Sequence, residues 1–289
     1  PLLETIGNEA LQEDYRSTLK SFYGALKSKD DCIKFAMLTG VTKFGKVSVF
    51  SDLNNLKDIS LDNRYYNLCG IDEGELHGVF EPYVQRLADS QNITLDKAYS
   101  ELKRNYDGYH FSKNMVGMYN PFSLLNAFDS LEIGNYWFET GTPSYLVELM
   151  QDQDMKLWSI TKKLVSSDVL NSVDIATTEP ISVIFQSGYL TIKGYKNEYD
   201  GYLLGFPNEE VKRGFLRYLI PRYTSVRPSD TAFEIESFVE EVRGGDISGF
   251  MKRLKSFFAN TPYDLIKDTE NHYQNVLFIL CNLCGLYTK

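Results

Sequence analysis

Apolar residues recur at helical spacing in the first part of the chain, at Leu11, Tyr15, Leu19, Phe22, Tyr23 and Leu26. This spacing predicts an amphipathic helix over about 9–28 that packs on a sheet. A short apolar run then extends from Cys32 to Gly40 and is typical of a buried, parallel strand. Ligands collect at the carboxyl ends of such strands, so residues 39–46 form a candidate functional loop. An ordinary exit from a strand into a loop is the simpler interpretation of the same pattern.

The middle of the chain carries several helix-start signals and one turn. The starts are the capping box Asp72/Glu75, the cap Thr94, and the pairs Asn120–Pro121 and Thr142–Pro143. The first two predict helices that run to about residues 89 and 105. Residues 106–109, with a glycine between aromatic neighbours, are expected to form a turn. The region is therefore predicted to be mostly helical.

Residues 180–220 show a different pattern, with a helix over 180–186, a hairpin, and a further helix that starts after Pro207–Asn208. This order predicts a winged-helix-like module, a type that often binds DNA. The first of these helices contains no Lys or Arg, although DNA contacts need basic or amide donors there. Five basic residues could contact phosphates, but acidic residues are interspersed with them. The five are Lys193, Lys196, Lys212, Arg213 and Arg217. A module that packs against protein is favoured, with nucleic-acid binding as the alternative.

The last part of the chain is predicted to be a linker followed by three helices. Residues 221–230, rich in Pro and Arg, form the linker, and the helical patterns cover 232–243, 247–259 and 269–284. Cys281 and Cys284 form a C-x-x-C inside the last apolar pattern, and no second ligand pair at zinc-finger spacing accompanies them. Buried thiols on a core helix are therefore favoured over a zinc site.

Composition narrows the class of protein. The chain has 289 residues, 43% hydrophobic and 24% charged, with a net charge of -9, which excludes disorder and a general affinity for polyanions. Twenty Tyr and 18 Phe imply a sizeable core with many phenol groups at its edges. Four scattered cysteines favour a reducing, cytoplasmic setting. No apolar stretch is long enough to span a membrane, so a membrane is not expected as a partner.

The residues alone assemble no complete active site. The sequence has no G-x-x-x-x-G-K-S/T phosphate loop, no G-x-G-x-x-G and no G-x-S-x-G elbow. His77, His110 and His272 are far apart in sequence without ligand spacing, and each is expected at the surface or at the edge of the core. Chemistry alone therefore predicts only an α/β plus helical globular protein.

Several short sequence segments nevertheless match a known family, and they occur in the same order as in that family. They are residues 35–44, 47–59, 106–111, 119–123, 136–143, 185–192 and 205–211. Through them the chain resembles bacterial AAA-ATPase-like proteins of the Bacteroidetes type that are fused to a PD-(D/E)XK-type nuclease domain. The strings span most of the chain.

The resemblance implies ATP and Mg²⁺ as cofactors and a nucleotide-sensing role for two residues. Thr39 would end the strand next to the Walker B strand and sense the γ-phosphate, and Lys43 would place a cation near the developing charge. Glu270 resembles a carboxylate on a helix that supports the nuclease metal site. A capping hydroxyl and a solvated surface lysine are the simpler interpretations of Thr39 and Lys43. No catalytic residue of either activity is assigned within the chain.

The resemblance also divides the chain. Residues 1–115 would be the second part of an α/β P-loop ATPase core, 116–225 a helical lid with the winged-helix-like module, and 230–289 the helical start of a nuclease domain. Because the chain begins with Pro1 and lacks both Walker motifs, we expect an interior fragment that is itself inactive. The whole protein would be an ATPase that controls a nuclease acting on nucleic acid. The alternative is a nucleic-acid-binding or protein-interaction module without enzymatic activity. Relatives of the AAA type often form rings, and nothing in the sequence itself indicates an oligomer.

Overall fold

The computed structural model describes residues 8–40, 56–139, 155–161, 163–171, 180–224, 226–259 and 269–286, together with Leu146 and Met150. The predictions for Thr142–Pro143, for Lys43 and for the string 47–59 (all but its last four residues) fall outside these residues. No helix in the described ranges combines the length and apolarity needed to cross a membrane.

Helices dominate the described residues. They are α1 (Glu9–Ser28), α2 (Glu73–Gly78), α3 (Glu81–Gln91), α4 (Leu95–Tyr106), α5 (Pro121–Ser130), α6 (Tyr136–Glu139), α7 (Ser167–Asn171), α8 (Pro180–Gln186), α9 (Glu209–Tyr223), α10 (Thr231–Arg243), α11 (Ile247–Ala259) and α12 (Thr269–Leu283). Three short 3₁₀ helices cover Asp30–Cys32, Leu157–Ser159 and Asn197–Tyr199. The strands are β1 (Leu164–Ser166), β2 (Thr191–Lys196) and β3 (Gly201–Gly205).

Local caps fix where the middle helices begin. The capping box predicted at Asp72 and Glu75 is confirmed, with the side chain of each bonded to the backbone N–H of the other. The single helix predicted to run on to about residue 89 is wrong, because the chain divides it into α2 and α3. Pro82 in the first turn of α3 has no N–H to donate to the carbonyl of Gly78, so α2 cannot continue through it as one regular helix, which accounts for the break. Asn120 caps α5 as predicted.

The three strands form an antiparallel sheet in the order β1-β3-β2. The predicted hairpin is confirmed as β2 and β3, which pair from Thr191↔Gly205 to Lys196↔Gly201 with an irregularity between Ile192 and Gly194. The sequence pattern did not predict β1, which pairs with β3 across Val165↔Tyr202. A three-residue strand has too short an apolar pattern to be distinguished from a loop.

Two hydrophobic clusters hold the described elements together. The helical cluster consists of α2 to α5, with Leu76, Leu87, Leu102, Tyr106, Tyr119 and Leu124 fully or almost fully buried. The mixed cluster joins the sheet to α8, α9 and the last three helices. Tyr109 and Met118 belong to the mixed cluster, while Tyr106 and Tyr119 belong to the helical one. The segment 106–119 therefore connects the two clusters.

The first helix and the apolar run after it differ from expectation in their packing. The bounds of α1 are as predicted, but most of its described side chains are exposed, and Phe22 is 69% exposed. Residues 33–40 form no strand, and Phe35 is 81% exposed. A strand exists only where another segment supplies hydrogen bonds, and no described segment pairs with this one. The packing of α1 on a sheet is therefore not found among the described residues.

The last four helices lie close to the predicted positions, with two differences. Helix α9 continues to Tyr223 and includes Pro221 in its last turn, so the predicted linker begins later than expected. His272, expected at the surface or at an edge, is only 7% exposed and packs near Tyr223 with ring centroids 6.2 Å apart. The pairing of α9 with α12 buries this face, which no spacing of histidines in the sequence reveals.

Candidate functional site

Polar side chains meet where the segment 106–111 lies against the hairpin and the start of α9. The hydroxyl of Tyr109 donates to the carbonyl of Gly188 at 3.0 Å. The backbone N–H of His110 donates to Oγ1 of Thr191 at 2.7 Å, and that hydroxyl donates to the carbonyl of His110 at 3.1 Å. These bonds join residues about 80 positions apart in the chain, so the strings around 106 and 189 form one site.

Lys193 joins two loops at this site. Its Nζ donates to the carbonyl oxygens of Gly108 at 3.2 Å and Pro207 at 3.1 Å. Gly108 has a φ of +104°, and a Cβ there would lie 2.3 Å from the oxygen of Pro207, so only glycine fits. Burial lowers the pKa of Lys193, while the nearby carboxylate of Asp107 acts in the opposite direction. The lysine therefore holds the 107–109 turn against the loop that precedes α9.

Asp107 and His110 add two further titratable groups to the same site. Burial raises the pKa of Asp107, and its Oδ1 makes no hydrogen bond within the described part of the chain. Nδ1 of His110 lies 2.7 Å from the carbonyl oxygen of Ile192. A carbonyl only accepts, so the proton is on Nδ1 and the lone pair is on Nε2. Burial lowers the pKa of His110, which keeps the ring neutral at pH 7.

Glu210 is a buried acid in the first turn of α9, next to this group. Glu210 is only 1% exposed, and its Oε1 accepts a hydrogen bond from the backbone N–H of Trp137 at 2.9 Å. Oε2 has no hydrogen-bond partner among the described residues. Burial raises the pKa of Glu210, although the hydrogen bond from the backbone N–H of Trp137 opposes the rise. The acid fixes the start of α6 on α9.

We call Asp107, His110, Lys193 and Glu210 the polar centre. Perturbed titratable groups near a cleft are typical of functional sites, and ion-pair networks that hold a fold together produce the same perturbation. Asp107 also lines a cleft of about 340 Å³ with Gly108, Asn208 and three cations. Within the polar centre, Nε2 of His110 can accept a proton, while Lys193 is bonded to two carbonyls. The geometry thus fits a rigid connection between the clusters better than a catalytic set.

The three residues that the resemblance singled out are not brought together. Thr39 is exposed at the end of the 33–40 segment, and Lys43 lies outside the described residues. Glu270 is exposed in the first turn of α12, where its Oε1 accepts from Nε2 of Gln274 at 3.0 Å. Among the described residues no group of three or more His, Cys, Asp or Glu is placed to hold a metal ion. Cys281 in the last turn of α12 and Cys284 in the turn after it are free, half-buried thiols, less buried than predicted.

The sequence pattern does not predict the polar centre, although the strings that build it are recognisable in the sequence. The pattern suggests Lys193 only as a cation that could contact phosphates, whereas in the structure Lys193 donates to two backbone carbonyls. Glu210 cannot be recognised as a buried acid from the sequence, because acidic residues are common in the first turn of a helix. The usable signal was Gly108, since a glycine between two tyrosines indicates a close backbone approach.

Comparison with known proteins gives one family and one relative. Residues 1–50 match a family model described as "Predicted AAA-ATPase" (AAA-ATPase_like). The chain is 32% identical over 285 residues to a protein of Azotobacter chroococcum mcd 1 named "Uncharacterized protein in vnfD 5'region". The alignment covers 96% of this chain and 53% of the relative, so the chain spans about half the length of the relative. No solved structure matches the chain.

Proposed function

We propose that the chain is part of an AAA-type ATPase that binds ATP with Mg²⁺ and controls a nuclease. The single observation that carries the ATPase part is the match of residues 1–50 to the predicted AAA-ATPase family. The similarity to a relative about twice as long supports the idea that further functional segments belong to the same protein. On this proposal Thr39 senses the γ-phosphate and Lys43 supplies a cation near the transferred group.

The group that would hold ATP phosphates is not found in this sequence. No G-x-x-x-x-G-K-S/T loop occurs in the 289 residues. Among the described residues, Thr39 lines neither the cleft at Asp107 nor the cleft between α9, α10 and α12. Exposure of Thr39 fits a residue that meets its ligand together with a segment outside this sequence. Bound ATP would supply the phosphoryl group, and Thr39 and Lys43 would only orient or stabilise it.

The sheet supports a winged-helix-like module within the second part of the chain. Two helices, α7 and α8, lie between β1 and β2, and the order β1-β3-β2 places the hairpin beside the first strand. This connectivity is the one expected for such a module. Helix α8, which would read DNA in a DNA-binding version, is buried from Pro180 to Ile184. A buried helix cannot enter a major groove, so we infer a module that packs against protein.

Nuclease control is the finer part of the proposal. It rests on Glu270, whose exposed position in the first turn of α12 fits a carboxylate that completes a metal site with residues from another segment. Mg²⁺ in such a site prefers carboxylate and water oxygens. The proposal predicts that a Glu270→Gln change in the protein with its flanking sequence lowers nuclease activity and leaves ATP hydrolysis intact. Loss of both activities together would contradict the separate roles.

The decisive experiment begins with the gene on both sides of the sequence. The flanking sequence should encode a phosphate loop before Pro1 and a nuclease core after Lys289. The protein with these flanks should hydrolyse ATP, and Thr39→Ala should lower hydrolysis by about a hundredfold while ATP still binds. Thr18→Ala, an exposed threonine on α1, is the matched control and should have no effect.

Two results would contradict the ATPase proposal. One is a flanking sequence without any phosphate loop. The other is a protein that has the loop but neither binds nor hydrolyses ATP. The nucleic-acid-binding alternative has its own test, in which residues 1–289 are mixed with duplex DNA at low salt. Salt-sensitive binding that weakens on Lys196→Ala would support that alternative.

A further inference from the structure

Three cations surround a cleft at the beginning of α9. The cleft has a volume of about 370 Å³ and lies where the first turns of α9 meet the ends of α10 and α12. Lys212 and Arg213 come from α9, and Arg243 comes from the last turn of α10. Asn282 and Cys284 contribute from the end of α12. Two separate helices, α9 and α10, thus place basic groups at one opening.

The charges around this cleft do not cancel. Glu209 is its one lining carboxylate, and it is shared between Arg213 at 3.4 Å and Lys212 at 3.9 Å. Arg243 is exposed and makes no ion pair with any other described residue. The cleft therefore has three positive groups against one negative group. This excess stands out on a chain whose net charge is -9.

The groups near the cleft that oppose an anion are themselves partly compensated. The carboxylate of Glu241, which acts on Cys284, is paired with Arg253 at 2.7 Å, and the ends of α10 and α12 carry the negative end of the helix dipole. Burial raises the pKa of the Cys284 thiol to about 11, so the sulfur is neutral at pH 7. The carbonyls at the end of α10 and α12 are partly occupied, because Gly244 donates to Glu240 and Leu286 donates to Cys281, each at 2.8 Å. The start of α9, a 15-residue helix, adds the partial positive charge of its dipole.

We propose that this cleft is a binding site for the phosphate group of a small ligand, separate from the proposed ATPase site. Guanidinium groups bind phosphate oxygens in a bidentate manner, and the pair Arg213 and Arg243 reaches the opening from two sides. Lys212 supplies a third positive charge at the same cleft. The ligand class is a phosphate monoester or a pyrophosphate, with at least two negative charges.

Size and charge favour a small ligand over a nucleic-acid strand. The volume is in the range of small-molecule sites. At about 0.1 M salt, charges interact over about 10 Å, so a small ligand in the cleft responds mainly to the three nearby cations. A strand would extend beyond that distance over a surface that is acidic on average. The three cations therefore attract a small anion in the cleft, but they do not make the surface attractive to a nucleic-acid strand.

The test is calorimetric titration of residues 1–289 with pyrophosphate, inorganic phosphate and AMP at low salt. Pyrophosphate should bind, and Arg243→Ala should weaken its binding by about tenfold, because one charge-assisted contact is lost. Arg213→Ala should have a similar effect. Arg86→Ala is the matched control, because Arg86 is exposed on α3 and lines neither cleft. All three changes are at exposed positions, so loss of folding is not expected, and circular dichroism checks it.

A second measurement maps the ligand to the cleft. Bound pyrophosphate should slow alkylation of Cys284, which lines the cleft, and leave alkylation of the exposed Cys69 unchanged. Similar affinity for inorganic phosphate and AMP would support a site that recognises phosphate alone, whereas tighter binding of AMP would support a nucleotide. Thr39→Ala should leave the binding unchanged, so failure here and failure of the ATPase proposal are distinguishable.

Three outcomes would overturn the proposal. They are absence of binding at low salt, equal weakening by Arg243→Ala and Arg86→Ala, and protection of Cys69 to the same extent as Cys284. An oligonucleotide that binds more tightly than pyrophosphate and loses binding in Arg243→Ala would replace the small ligand with nucleic acid.

Discussion

Replacement of Glu210 by glutamine should stabilise the protein. Glu210 is 1% exposed in the first turn of α9, and one of its oxygens accepts from the backbone of Trp137 at 2.9 Å. The other oxygen has no hydrogen-bond partner in the described part of the chain. Burial raises the pKa of this carboxyl, which means that the fold disfavours its charge. Glutamine has the same shape and keeps the oxygen that Trp137 needs.

The size of the effect follows from two opposing contributions. A buried polar atom without a partner costs about 1 to 3 kcal/mol. Loss of a negative charge from the first turn of a helix costs about 0.3 to 1 kcal/mol. The amide of glutamine can also donate to Oγ of Ser123, which lacks a partner in the structure and lies close enough to influence Glu210. The free energy of unfolding should therefore increase by about 1 kcal/mol at pH 7, which is roughly 2 to 4 °C in Tm.

The pH dependence distinguishes charge burial from any other cause. Because the pKa of Glu210 is higher in the folded state, the destabilisation is absent below the unfolded pKa of about 4.3 and complete above the folded pKa. The advantage of the glutamine variant should thus grow as the pH rises from about 4.3 and then become constant. Glu210→Ala is the control, and it should destabilise by about 2 kcal/mol because Trp137 loses its acceptor.

Urea unfolding followed by circular dichroism between pH 4.5 and 8 measures these differences. A glutamine variant that is less stable than the wild type at pH 7 would contradict this prediction. A stability difference between the two proteins that does not change with pH would contradict it as well.

Three other predictions follow from the polar centre and the thiols. Gly108→Ala should lower the free energy of unfolding by about 2 kcal/mol or more, because its φ is +104° and a Cβ would meet a backbone oxygen; Gly24→Ala in α1, with open space around it, should not destabilise. Burial lowers the pKa of His110, so the neutral ring should stabilise the fold fully above about pH 6.5, and this stabilisation should be lost as the pH falls. His110→Gln should remove this dependence of the free energy of unfolding on pH, as measured by urea titrations. Iodoacetamide at pH 8 should modify Cys284 more slowly than the exposed Cys69, because the pKa of about 11 of Cys284 leaves little thiolate. Peptide mass spectrometry measures the two rates, and equal rates would contradict this prediction.

The polar centre could be anticipated only in part. The strings around residues 106, 189 and 205 were visible in the sequence, and Gly108 indicated a turn. That Lys193 bonds to carbonyls of two loops depends on the meeting of segments about 85 and 14 residues away from it. A sequence shows that a lysine is present but not whether burial will give it two acceptors.

Local sequence is sufficient to specify most of the individual helices and the hairpin of this protein. Asp72, Asn120 and Asn208 cap helices whose starts follow from side chains bonded within three residues, and the hairpin follows from alternating apolar residues around a turn. The tertiary structure decided which of these patterns became a buried element. Residues 33–40 have the apolarity of a strand and no described partner, whereas the short β1 gains its place only through β3. Strand pairing, the burial of His272 and the cluster of charges at α9 all depend on contacts between distant segments, and local propensity does not encode those contacts.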